Sequence, residues 1–179
     1  MKTEIILAGF GGQGILFAGK VLAYAGLACG RQVSWLPSYG PEMRGGTANC
    51  SVCISDEEIG NPMVGSPDLL IVMNKPSFER FIGTVKPGGT AVADESLIDD
   101  IDRSTISAIR FSGVPATQWA KSKDLDKMAN MIMLGRAVRE TGLFTEAELF
   151  WGLREAAPRA SAALLEKNEQ ALRLGMDLK

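Results

Sequence analysis

The chain contains no histidine. This removes the side chain that most often serves as general base near neutral pH and as metal ligand. Cysteine is scarce, at Cys29, Cys50 and Cys53. An iron–sulfur cluster normally takes four thiolates, so this chain is not expected to hold one alone. Cys50 and Cys53 form a C-x-x-C spacing, but within a run that reads as a strand, where residues three apart face opposite sides. Two separate reduced thiols are therefore expected. There is no basic excess to attract nucleic acid, since 19 Lys and Arg stand against 21 Asp and Glu, a net charge of -2. No apolar run is long enough to cross a bilayer. Glu4 and an early glycine turn are incompatible with a signal peptide, so neither a nucleic-acid nor a membrane partner is expected and the expected location is cytoplasmic. With 46% apolar residues, the 179-residue chain suits one soluble domain, residues 1–179, with a sizeable core.

The most informative stretch present is Gly9-Phe10-Gly11-Gly12-Gln13-Gly14. It follows the apolar run Ile5-Ile6-Leu7-Ala8 and precedes a helical pattern from Ile15. Strand, glycine turn, helix is the setting in which such a turn acquires meaning. Glycines permit a tight turn and close approach, and the new helix aims unpaired N–H groups and partial positive charge at the same space. The spacing of Gly9, Gly11 and Gly14 fits a dinucleotide fold, but an NAD site wants an acidic residue about 20 positions further on. No Asp or Glu occurs between Glu4 and Glu42. Three readings remain: a turn that packs helix on strand, a site for a phosphate-bearing ligand, and a docking point for a partner's backbone.

Residues 3–8 read as a buried parallel strand, 13–28 as a helix stopped near Gly30, and 32–36 as a second strand. A loop from Pro37 to Gly46 carries Glu42 and Arg44. A strand over 47–55 follows, with an antiparallel edge expected over the 47–59 region. Asp56-Glu57-Glu58 reads as a turn, 69–73 as a buried strand, 76–82 as a short helix, and 90–93 and 107–111 as strands. The remainder is mostly helical: 115–121, 127–140 stopped by Gly142, 145–156 opened by the capping pair Thr145 and Glu148, and 160–174 closed by Gly175. Alternating strands and helices predict a three-layer α/β sandwich on a largely parallel, Rossmann-like sheet with a helical C-terminal region.

Ligands of open α/β sheets meet the carboxyl ends of the strands. The segments Gly9 to Gly14, Pro37 to Gly46 and Asn74 to Ser77 are expected to converge there. Arg44 can grip a carboxylate or phosphate with its planar fork, and Glu42 can hold Arg44 or receive a cation; a purely structural pairing of the two is equally open. Neither Glu42 nor Tyr39 has a companion for acid–base or nucleophilic work. The chain thus reads as a non-catalytic subunit that presents loops to other chains, or as a stand-alone nucleotide- or coenzyme A-binding module.

The glycine turn, together with Ser38-Tyr39-Gly40-Pro41-Glu42-Met43-Arg44-Gly45-Gly46, closely resembles the gamma subunit of the 2-oxoacid:ferredoxin oxidoreductases. Thr47-Ala48-Asn49-Cys50, Ile59-Gly60-Asn61-Pro62, residues 130–135 and residues 168–175 extend the likeness over nearly the whole chain. It implies a complex with alpha, beta and delta subunits that passes electrons to ferredoxin. Thiamine diphosphate, magnesium and iron–sulfur clusters would sit on those other subunits, and coenzyme A would accept the acyl group. The resemblance implies an architectural gamma subunit with a role in coenzyme A access and no cofactor bound by this chain alone. Gly11, Gly12, Gln13, Gly14, Ser38, Tyr39, Glu42, Arg44, Gly45 and Gly46 are the implied contact residues; no catalytic or metal-binding residue is implied. The Arg44-Gly45-Gly46-Thr47-Ala48-Asn49 version looks most like enzymes that convert 2-oxoglutarate, coenzyme A and oxidised ferredoxin to succinyl-CoA, carbon dioxide and reduced ferredoxin. Branched-chain 2-oxoacid enzymes are the closest rival and pyruvate enzymes a further one; indolepyruvate enzymes tend to carry a histidine in this loop.

Overall fold

The computed structural model of the chain describes residues 1–38, 47–102 and 104–177. Six strands form one sheet in the order β2-β3-β1-β4-β5-β6. In chain order they are β1 (Lys2–Phe10), β2 (Gln32–Ser38), β3 (Thr47–Ser55), β4 (Leu69–Val72), β5 (Thr90–Asp94) and β6 (Arg110–Val114). The helices are α1 (Ile15–Ala28), α2 (Lys75–Phe81), α3 (Ala116–Ser122), α4 (Ala129–Thr141), α5 (Glu146–Ala156) and α6 (Ala162–Asp177).

The apolar strands at the centre are buried on both faces, because alternate side chains enter two separate cores. Ile5, Leu7, Leu69, Ile71 and Val92 face a large core closed by α1, α3, α4, α5 and α6. Ile6, Ala8, Leu70, Val72, Ala91 and Ala93 face a smaller one closed by α2 and the segments after it. The result is the expected three-layer sandwich with the helical C-terminal region on one side.

β1, β4, β5 and β6 run parallel, while β3 is antiparallel to both β1 and β2. The antiparallel strand therefore lies inside the sheet, and β2 forms the edge expected of the 47–59 region. Their side chains account for the order. Cys50, Val52 and Ile54 of β3 are buried in the large core, whereas β2 contains Pro37, which has no N–H for a further ladder.

Two other boundaries differ from expectation. The strand expected over 107–111 starts at Arg110, because 104–109 is wound into successive turns. The Asp102 carboxylate accepts from the Ser104 backbone and hydroxyl, and Ile106 and Ile109 pack against the smaller core from those turns. The helix expected to close at Gly175 runs through it to Asp177. Gly175 is a packing glycine: a Cβ there would strike the carbonyl of Ile132, and one at Gly135 would strike the carbonyl of Leu172. The α4 and α6 backbones thus touch where each has a glycine. Gly152 plays the same part where α5 crosses α1, facing the Val21 carbonyl and the Ala25 amide. Gly142, by contrast, ends α4 as expected, with φ of 62° in the left-handed region. Thr145 and Glu148 form the expected reciprocal cap on α5.

Candidate functional site

The strand register brings the candidate residues to one end of the sheet. Phe10, the last residue of β1, lies opposite Thr47, the first of β3, and Ser38, the last of β2, lies opposite Asn49. The glycine turn and both arms of the following loop therefore share the carboxyl edge of the parallel strands. Asn74 is there too, at the end of β4, where its side chain caps α2 by accepting from the Ser77 amide at 2.8 Å. Tyr39, Glu42, Arg44, Gly45 and Gly46 lie outside the described residues.

The turn is braced from within. The Gln13 side chain accepts a hydrogen bond from the Phe10 amide at 2.6 Å and donates to the Met73 carbonyl at 3.1 Å, tying the turn to the end of β4. The Gln13 amide in turn reaches the Phe10 carbonyl at 3.1 Å. Gly12 and Gly14 have φ of 95° and 76°, a region that L side chains disfavour. No side chain caps the start of α1 and no acid stands in its first turn. The partial positive end of that helix is therefore not neutralised by its own residues. Asn130 of α4 reaches over to donate to the Gly14 carbonyl at 3.1 Å.

Beside the turn lies a cleft of about 380 Å³, lined by Gly12, Gln13, Met73, Leu97, Thr117, Ala120, Lys121, Asp126, Lys127 and Ala129. The neighbouring wall is held by Asp94, fully buried at the end of β5. Its carboxylate accepts from the Thr117 hydroxyl at 2.5 Å and the Ser96 amide at 3.0 Å, and so fixes the start of α3. On the other side of the turn a smaller hollow of about 240 Å³ runs between Phe10, Phe17 and Ala48. Phe10 is 37% exposed at this edge and Leu36, on β2, is 40% exposed.

Cys50 and Cys53 point to opposite faces, as their spacing implied. The Cys50 thiol faces the Ile15 carbonyl beneath α1, and the Cys53 thiol faces the Pro62 carbonyl. Burial pushes the Cys50 thiol up to about 12, with only a small opposing pull from the Trp35 indole. Burial also raises Cys53 and Cys29. All three are shifted towards the neutral thiol. Among the described residues no three His, Cys, Asp or Glu side chains converge on a point that could hold a metal ion.

Sequence reasoning found the turn, Asn74 and the edge. Asn130 entered only within a matching segment, and Thr117, Asp94, Lys121, Asp126 and Lys127 were missed altogether. They come from segments 80–115 residues further along the chain, with no local pattern to mark them.

Known proteins match this architecture along its length. Residues 4–178 match the family model described as pyruvate ferredoxin/flavodoxin oxidoreductase. Subunit KorC of 2-oxoglutarate synthase from Methanothermobacter marburgensis is 36% identical, with 99% of this chain and 97% of that protein covered. Ketoisovalerate oxidoreductase subunit VorA from the same organism is 43% identical over 148 residues, which is 82% of this chain but only 30% of VorA. The chain thus spans less than a third of that relative's length. Among solved structures, a keto/oxoacid ferredoxin oxidoreductase gamma subunit from Geobacter sulfurreducens superimposes with a TM-score of 0.84 at 26% identity, covering 99% of this chain and 95% of that one. No described helix is long and apolar enough to cross a membrane. The chain belongs to the pyruvate ferredoxin/flavodoxin oxidoreductase family, and its whole-length likeness is to the separate gamma subunits of that family.

Proposed function

We propose that residues 1–179 serve as the gamma subunit of a 2-oxoglutarate:ferredoxin oxidoreductase. In this reading the complex oxidises 2-oxoglutarate with coenzyme A to succinyl-CoA and carbon dioxide and reduces ferredoxin. The chain is non-catalytic. It presents an edge to alpha, beta and delta subunits, which carry thiamine diphosphate, magnesium and the iron–sulfur clusters. The observation that carries the reading is end-to-end similarity to KorC, at 36% identity with almost no unmatched length on either side.

The chemistry of the chain supports this division of labour. It has no histidine, its three thiols are pushed towards the neutral form, and among the described residues no group of three or more His, Cys, Asp or Glu could hold a metal ion. What it offers is shape: Gly11 and Gly12 leave backbone exposed at the carboxyl edge, with Gln13 bracing the turn. The arms of the loop carrying Tyr39, Glu42, Arg44, Gly45 and Gly46 leave from Ser38 and Thr47 at that same edge. We assign this edge to contact with partner subunits and to coenzyme A access, where bare backbone permits close docking and a guanidinium suits a phosphate.

A second reading keeps the role and changes the substrate. The 43% identity to VorA favours a ketoisovalerate, or more broadly a branched-chain 2-oxoacid, complex. Because the proposed role leaves the 2-oxoacid pocket to other subunits, one experiment decides the matter. Affinity purification of the tagged chain from its native cell, followed by ferredoxin reduction with 2-oxoglutarate, ketoisovalerate and pyruvate, is expected to recover partner subunits and to favour 2-oxoglutarate. Preference for ketoisovalerate selects the second reading. A monodisperse monomer with tightly bound nucleotide overturns both in favour of a stand-alone module.

A further inference from the structure

The cleft beside the glycine turn combines three features that bear on what it binds. Its floor is apolar: Met73 is buried at the end of β4, and Leu97 stands 41% exposed on the rim. An exposed leucine at a concave mouth is surface available to a ligand's apolar body. Lys121 from α3 and Lys127 from the turn before α4 line the same space. Among the described residues neither ammonium meets a carboxylate or a hydrogen-bond acceptor; the same is true of Lys123 outside the cleft, whereas Lys2, Lys75, Lys86 and Lys167 are paired. Asp126 is the one carboxylate on the wall, so the mouth carries an excess of one positive charge.

Backbone conformation adds an independent observation. Lys127 has φ of 66°, a left-handed conformation that costs a non-glycine residue about 1 kcal/mol. If this turn only linked α3 to α4, glycine would serve better there. A lysine held in that conformation, on a wall it shares with Gly12, is a reason to ask what its ammonium meets. The volume of about 380 Å³ suits a small molecule and is too small for a helix or a strand.

We propose that this cleft binds a small amphiphilic anion, whose aromatic or aliphatic body rests on Met73 and Leu97 while a phosphate or carboxylate head lies between Lys121 and Lys127. The cleft is lined by residues of this chain alone, and because Gly12 and Gln13 belong to the edge assigned above to coenzyme A access, the inference rests on and deepens that reading. Gly12 lets the ligand approach the turn without meeting a side chain.

The test uses the full chain, isotope-labelled with nitrogen-15, and 1-naphthyl phosphate as probe, with 1-naphthoate and uncharged 1-naphthol as the other arms. Saturable amide shifts at Gly12, Gln13, Thr117 and Lys127 are expected with an anionic probe, and the tighter of the two anions identifies the head group. The naphthol should bind about tenfold more weakly, the loss of roughly one charge-assisted contact. Lys127→Gly removes the ammonium while relieving the backbone, so the fold is kept; Lys121→Met removes the other charge from an exposed helix position. Each should weaken the anion about tenfold and leave naphthol binding unchanged. No saturable shift at these amides, equal binding of naphthol and the anions, or unaltered anion binding in the double variant each overturns the proposal.

Discussion

The side chain of Asn130 donates to the carbonyl of Gly14, and the same amide occupies the space a Cβ on Gly14 would need. A residue on the fourth helix thus sets both the shape and the glycine requirement of a turn 116 positions earlier. Gly14 → Ala should destabilise the chain by about 2–4 kcal/mol, combining left-handed strain with displacement of Asn130. Gly12 has open space around it, so Gly12 → Ala isolates the strain and should cost about 1 kcal/mol. Urea unfolding of the two variants checks the difference; equal losses would show that Asn130 has room to move aside.

Removing the clamp from the other side is a separate expectation. Asn130 → Ala should cost about 1–2 kcal/mol, because the Gly14 carbonyl keeps its bond from the Ala18 amide at 3.0 Å and loses only the second donor. In the Asn130 → Ala background, Gly14 → Ala should become less damaging. A double-mutant cycle in urea reads this coupling directly, and strict additivity would break the link between the two residues.

The α4–α6 crossing gives a larger effect. Gly135 → Ala and Gly175 → Ala each place a methyl against a facing carbonyl. Each should cost about 3 kcal/mol or more and expose α6 to limited proteolysis before the rest of the chain unfolds. A comparison at Gly83, whose Cβ position is open, should be nearly neutral.

At the opposite end of the sheet, Lys86 bridges Glu4 at 2.8 Å and Asp68 at 2.9 Å. Hydrogen bonds from Lys2 and then Lys86 hold the Glu4 carboxyl below the usual carboxylate range. A depressed folded value stabilises above the unfolded value and is lost as pH falls through the folded one. Stability should therefore decline on acidification below about pH 4.5, and Lys86 → Met should flatten that decline at a cost of about 1 kcal/mol near neutral pH. Thermal melts between pH 3 and 7 (about; the range spans the unfolded carboxylate value) provide the measurement.

The proposed division of labour makes a prediction about activity. The purified chain alone should reduce no ferredoxin with any 2-oxoacid, since the chain has no histidine and among its described residues no group of three or more His, Cys, Asp or Glu could hold a metal ion. Reconstitution with partner subunits should restore turnover. Ferredoxin reduction by the chain unaided, followed spectroscopically, would end the reading.

Much of the architecture was legible because it is local. The run Ile5 to Ala8, the glycine turn and the Thr145–Glu148 cap each contain their physical cause within a few residues. The strand over Thr47–Ser55 was readable to the residue, since Ala48, Cys50, Val52 and Ile54 alternate with smaller polar neighbours. Where reading failed, the cause was distant. Gly175 has the look of a helix stop until Ile132 is seen against it. Residues 107–109 read as the start of β6 because Ile109 is apolar for a different reason, covering the smaller core.

By itself, then, the chain's order of residues determined its elements and its family likeness, since each depends on short-range periodicity or on residue types present. Tertiary structure alone decided that β3 lies inside the sheet, that Asn130 and Gln13 hold the glycine turn, and that Lys121 and Lys127 share a wall with Gly12. The reason is physical: sheet order and side-chain clamps depend on which segments bury their apolar faces together, and that is a property of the packed whole rather than of any stretch of chain.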